Sequence, residues 1–264
     1  MSARIERASL LLPALGGLVA LAWTALWVWQ ASPYGRYLDH GGLANSALVC
    51  SAPASALAQG ALYVGGWVLM TAAMMLPSTF PLLAILHRMT RQRSDAAALV
   101  ALATVGYLGV WLLFGVAAHL LDLGLHRLLE QRALLLTDPW IYGAGLLLLA
   151  GAFQFSSLKH RCLDKCRAPL SFVVQHWRGG NAAAQALRLG AHHGAFCVGC
   201  CWALMLLMFA VGTGNVGWML ALGAVMAIEK NLPWGRQFSA PLGAALLLWG
   251  AWIVLTNTVA PPGV

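Results

Sequence analysis

The chain has 264 residues, of which 60% are hydrophobic and only 9% charged, with a mean hydropathy of +0.74. A water-soluble fold of this size needs far more charge on its surface, so the composition excludes one and predicts an all-α fold, a polytopic transmembrane helix bundle. The net charge of +8 gives no reason to invoke nucleic acid, because the surplus Lys and Arg sit in short connections between apolar runs.

Runs long enough to cross a bilayer fall at about residues 10–30, 62–86, 97–118, 140–158, 195–212, 215–229 and 240–258, the sixth being the shortest. Arg4 and Arg7 precede the first, which is too long for a signal-peptide core and reads as a retained anchor. Counting Lys and Arg in alternate connections gives 13 on the side of the N-terminus and 3 on the other. Basic connections stay in the cytoplasm, so the expectation is seven spans with the N-terminus inside and the C-terminus outside. The whole chain, 1–264, reads as one integral membrane domain without internal repeats. The segment 119–136 has leucines at helical spacing with charges between them, and reads as an outer interfacial helix or an extension of the third span.

The second span contains Trp67, Met70 and Met74 on one face, with Met75 directed elsewhere; Pro77 and Pro81 break it near its cytoplasmic end. After the fourth span comes KHRCLDKCRAP, residues 159–169. Cys162 and Cys166 are four apart, hence on one face of a helical extension, among Lys159, Arg161, Lys165 and Arg167. Such a basic neighbourhood raises the thiolate fraction and favours metal ligation and nucleophilic reactivity alike.

The fifth span opens GAHHGAFCVGCCWALMLLM, residues 190–208. Stepping about 100° per residue from Cys197 places Cys200, Cys201, Met205 and Met208 with it in one sector of about 140°. Cys197 and Met208 are about 16 Å apart along the axis. A sulfur ladder of that length suits a soft metal such as Cu(I). His193, one turn before Cys197, is a further candidate ligand. Zinc fits His and thiolate but makes no use of the methionines, and for heme only axial His ligation stays open, since no C-x-x-C-H string is present. Five of the six cysteines cluster at the cytoplasmic side, where thiols are kept reduced; Cys50 alone falls in the outer loop. Glu229 and Lys230 end the sixth span. They read as charges snorkelling to the interface or, if Glu229 lies deeper, as a proton-relay candidate.

The strings WVLMTAAMMLPS, FQFSSLKHRCLDKCRAP, GAHHGAFCVGCCWALM and AIEK together resemble a bacterial family of predicted metal-binding integral membrane proteins, formally a domain of unknown function and sometimes labelled copper chaperones. The resemblance runs from about Trp67 to Lys230, within a family-like core of 62–232. It implies an inner-membrane, multi-pass protein with metal residues at Cys162, Cys166, Cys197, Cys200 and Cys201, and at Met74 and Met75. Where relatives carry Met-Asn near the start of the sixth span, this chain has Gly214-Asn215. The expected role is Cu(I) binding for delivery, transport or homeostasis in the lipid bilayer, with a soluble metal donor or acceptor as partner. The competing readings are a membrane thiol–disulfide oxidoreductase and a non-catalytic subunit of a larger complex. The thioethers favour binding, since they ligate Cu(I) but cannot take part in disulfide exchange.

Overall fold

The structure is a computed structural model that describes residues 2–32, 56–131, 140–177, 180–211 and 215–259. The expected outer loop with Cys50, Gly214 and the C-terminal residues 260–264 lie outside them. The described residues form an all-helical bundle: α1 (Ser2–Ala31), α2 (Ala56–Met74), a 3-10 turn (Leu76–Thr79), α3 (Phe80–Thr90), α4 (Ala96–Gln131), α5 (Trp140–Phe153), α6 (Ser157–Arg167), α7 (Pro169–His176), α8 (Ala182–Val211), α9 (Val216–Asn231) and α10 (Gly235–Val259).

Four helices, α1, α4, α8 and α10, have the length and apolarity to cross a membrane singly. Two further candidates are bent pairs: α2 with α3, turned by 50°, and α5 with α6, turned by 66°. The expected sixth span is α9, whose 16 residues extend about 24 Å, less than the hydrocarbon thickness of about 30 Å. Length and composition therefore support four to six spans. The leucine-rich segment after residue 119 continues α4 as far as Gln131, the second of its two expected forms.

Both bends have a local cause. Pro77 lacks the amide hydrogen that would continue α2, so the chain tightens into the 3-10 turn; Pro81 then opens α3, where a missing N–H is harmless. After α5 the chain leaves the helix at Gln154, and Ser156 caps α6 by accepting a hydrogen bond from the Lys159 amide at 3.1 Å. Ala168, kept out of the helical region by the following Pro169, ends α6.

The bundle is organised around α8, whose most apolar stretch is 56% buried, against 11% for α1. It packs against α4 at the closest distance a backbone allows. A Cβ on Gly190 would strike the Ala103 carbonyl, and one on Gly106 the Leu187 carbonyl. Small residues at such a crossing let dispersion and weak polar contacts replace the hydrophobic drive that lipid removes. The close crossing also brings Tyr107 of α4 up to Cys197 of α8.

Candidate metal centre

Three helix terminations converge on the middle of α8: the end of α2 with its 3-10 turn, the end of α6 and the end of α9. Each delivers one side chain to the cysteines there. α6 brings Cys166, whose Sγ lies 4.0 Å from Cys200 Sγ. The α2 break brings Met75, whose Sδ lies 4.0 Å from Cys201 Sγ. α9 brings Lys230, whose Nζ donates to Cys197 Sγ at 2.9 Å. Cys200 and Cys201 are themselves 3.8 Å apart at sulfur. All five of these sulfur-bearing residues are buried.

The spacing has chemical meaning. Two sulfurs bound to one ion at about 2.3 Å, with an angle of 110–120° between the bonds, are about 3.8–4.0 Å apart. The Cys166–Cys200 and Cys200–Cys201 separations fall in that range. Among the described residues, however, no three His, Cys, Asp or Glu side chains are already aimed at a common point. The reason is visible in the thiols: Cys200 and Cys201 both donate to the Cys197 carbonyl, at 3.1 and 2.8 Å. A metal would have to replace these S–H···O bonds, which are weak, by rotating two side chains about χ1.

The surroundings are polar and largely satisfied. The three ammonium hydrogens of Lys230 have three acceptors: Cys197 Sγ, Ser78 Oγ at 3.3 Å and Met75 Sδ at 3.7 Å. Tyr107 Oη lies 3.0 Å from Cys197 Sγ and donates at 3.2 Å to the Met75 carbonyl, which also accepts from Ser78 Oγ at 2.7 Å. Next to this cluster is a second buried group. Lys159 Nζ and Glu229 Oε2 pair at 2.7 Å, and Ser239 donates to the other Glu229 oxygen at 2.7 Å.

Of the residues read from the sequence as candidate ligands, Cys166, Cys197, Cys200 and Cys201 are brought together. Cys162 faces α8 as well, but its sulfur rests on the backbone of Gly199. His193 is buried one turn before Cys197, its ring against Tyr107 and Phe172, with Nδ1 lacking a hydrogen-bond partner. Met205 and Met208 are fully buried further along α8. Met70 is buried too, and Met74 packs on Gly223 of α9.

Three readings are corrected. Met75, expected to point away, is the methionine that meets a cysteine. Its amide still bonds the Thr71 carbonyl at 2.8 Å, so the helical step holds through Met75; it is the cysteines that lie on that side of α2, while Met74 packs on α9. Lys230 does not snorkel to an interface but is buried and faces sulfur. The basic residues flanking the α6 cysteines turn elsewhere: Lys159 to Glu229, and Arg167 to the Glu229 and Pro233 carbonyls. The cation at the thiols comes from a different helix. Tyr107 carried no signal in the sequence, being one aromatic in an apolar run.

A separate cavity of about 360 Å³ between α5, α8, α9 and α10, lined by Trp140, Leu147, Leu207, Trp218, Leu246 and Trp249, contains none of these residues.

The sequence model of the family described as PpoB2, copper chaperone, matches residues 64–253 of this chain, a stretch that includes every member of the cluster. No curated protein and no solved structure matches.

Proposed function

The chain belongs to the copper chaperone family PpoB2, and from that premise we propose that it is a bacterial inner-membrane protein that binds and hands on Cu(I). The ion is taken up from a soluble donor or passed to a soluble acceptor at the cytoplasmic side. The ligands are drawn from Cys166, Cys197, Cys200 and Cys201, two of them as thiolates, with Met75 as thioether support. The observation that carries this reading is the sulfur spacing: Cys200 lies 4.0 Å from Cys166 and 3.8 Å from Cys201, with Met75 4.0 Å beyond. These separations suit a shared soft ion, and soft sulfur donors select Cu(I) over harder ions. His193, with its free Nδ1, stands as an additional donor one turn away. Cys162, Met70, Met74, Met205 and Met208 line the helices around the cluster and extend the sulfur path along α2 and α8. Glu229 serves as the charge partner of Lys159.

Copper analysis of protein purified without oxygen tests the proposal, followed by competition with a chromogenic Cu(I) chelator. The wild type should retain copper, and Cys166→Ser and Cys200→Ser should lose it, since a hydroxyl stays protonated and ligates a soft ion poorly. A wild type stripped as readily as its serine variants would overturn the reading. The orientation, N-terminus inside with seven crossings, is tested by reporters active on only one side of the membrane, fused after Val264. Cytoplasmic activity there would reverse it.

The 4.0 Å between Cys166 and Cys200 also favours a second reading, a dithiol that exchanges with a partner's disulfide. That activity would survive Met75→Leu, whereas Cu(I) binding would weaken.

A further inference from the structure

Two lysines are buried in this bundle, and they are not compensated alike. Lys159 has a carboxylate, Glu229, at 2.7 Å. Lys230 has no carboxylate partner among the described residues; its nearest groups are Cys197 Sγ, Ser78 Oγ and Met75 Sδ at 2.9, 3.3 and 3.7 Å. A cation held in a low-dielectric interior requires a negative charge close by. Here only the thiols can supply it, as thiolates.

We propose that Lys230 is a fixed counter-charge that makes the sulfur cluster select monovalent over divalent soft ions. The proposal rests on the copper-binding reading above. Two thiolates, one ammonium and one monovalent ion sum to zero. Two thiolates, one ammonium and one divalent ion leave a buried charge of +1. A divalent ion reaches neutrality only by recruiting a third thiolate. No three donors are preset for that among the described residues. Softness alone does not make this distinction, because Cd(II) is as much a thiolate-seeking ion as Cu(I). The charge of Lys230 does. Its Nζ lies within hydrogen-bonding distance of one thiol and against the Met75 thioether, in direct contact with sulfurs that would hold the ion. Ser78 and Tyr107, the other polar groups at the cluster, are neutral and orient without altering this balance.

The test uses the full-length protein in detergent without oxygen, with Cu(I) and Cd(II) as probes, each titrated against a chelator of known affinity. Lys230→Gln keeps a hydrogen-bond donor to Cys197 and removes the charge. Lys230→Met removes both, and Lys230→Arg keeps both. The ratio of Cu(I) to Cd(II) affinity should fall by about a hundredfold in the Gln and Met variants, as expected for one unit charge at contact range in a protein interior. It should stay within a few-fold of wild type in the Arg variant. Using the ratio cancels any change that affects both ions alike. Either neutral variant that stays monodisperse with wild-type tryptophan emission decides the matter, and an unchanged ratio in it overturns the proposal while leaving copper binding in place. A wild type that binds neither ion overturns the binding reading itself.

Discussion

Lys159 and Lys230 are both buried at the last turn of α9, the first reaching Glu229 from α6 and the second, part of that turn, facing sulfur instead. The first pair is closed: its side chains are 0% and 3% exposed, and Ser239 occupies the remaining carboxylate oxygen. Nothing about it invites a ligand, and its role is to tie α6 to α9 and α10. The second lysine leaves its charge open toward groups that can take up or give off a cation. Because Glu229 and Lys230 are consecutive on a helix, they point about 100° apart. One helix end thus serves two neighbouring sites, a structural one and a chemical one. Charges within membrane helices are kept where they neutralise each other or where they do something, and here the two cases are adjacent.

The comparison is broken most severely at the closed pair. Glu229→Gln should leave Lys159 buried without its counter-ion and cost about 3–5 kcal/mol. Removing both ends, as Lys159→Met with Glu229→Leu, should recover most of that loss. Unfolding by added SDS in mixed micelles measures both. Lys230→Gln should cost much less on the same scale, since the thiolate it leaves behind can take up a proton and become neutral. Equal losses for Glu229→Gln and Lys230→Gln would erase the distinction between the two sites.

A second contrast sets Cys200 of α8 against Cys162 of α6. Cys200→Ser removes the sulfur that neighbours both Cys166 and Cys201, and Cu(I) affinity should fall by at least about a hundredfold, since the central soft donor is lost. Cys162→Ser should change it by no more than about threefold, because that sulfur lies on the Gly199 backbone instead. Competition with a Cu(I) chelator separates the two. A large effect at Cys162 would draw that sulfur into the site.

How far the sequence spoke depended on whether the signal was periodic. The grouping of Cys197, Cys200 and Cys201 on one face of α8, and of Cys162 and Cys166 on one face of α6, follows from a 3.6-residue repeat, and the helices obey it. The two motifs abut the same long connection between the fourth and fifth spans, and Cys166 and Cys200 meet. The wheel set Met75 off the Met70–Met74 face, and it does point elsewhere; what periodicity within one helix could not say is which of those faces meets the cysteines of α8. Lys230 was misread because a charge at a helix end is usually solvated; only the tertiary arrangement, with α9 buried at its C-terminal turn, reverses that. The family-specific strings pointed to the copper chaperone family, whose match covers residues 64–253. The span count is the part that composition blurs. A 16-residue helix and two bent pairs are equally apolar whether they cross or only dip into the bilayer.

The contact that seats Cys162 gives a smaller effect. A Cβ at residue 199 would lie 2.6 Å from Cys162 Sγ, so Gly199→Ala should cost about 1–3 kcal/mol by overpacking. The same substitution in a Cys162→Ala background should cost much less, because the clashing sulfur is gone. SDS unfolding of the two single variants and the double variant gives the coupling. Additive costs would mean that α6 moves away as a whole and that the close approach matters little.

The smallest effect expected is at the methionines of α8. Met205 and Met208 lie about 6 and 10 Å along the helix axis from Cys201, too far to share an ion held by the cysteines through bonds of about 2.3 Å. Met75, by contrast, is 4.0 Å from Cys201. Met75→Leu should therefore weaken the first Cu(I) equivalent by about tenfold, as loss of one thioether donor implies. Met205→Leu with Met208→Leu should leave that equivalent nearly unchanged and cost under about 1.5 kcal/mol in stability, the volume being roughly conserved. If the two methionines form a further station on a sulfur path, the double variant should instead lose a second, weaker equivalent seen at higher copper concentration. Titrations that coincide with wild type through both equivalents return Met205 and Met208 to packing and confine the metal to the end of the bundle where α2, α6 and α9 stop.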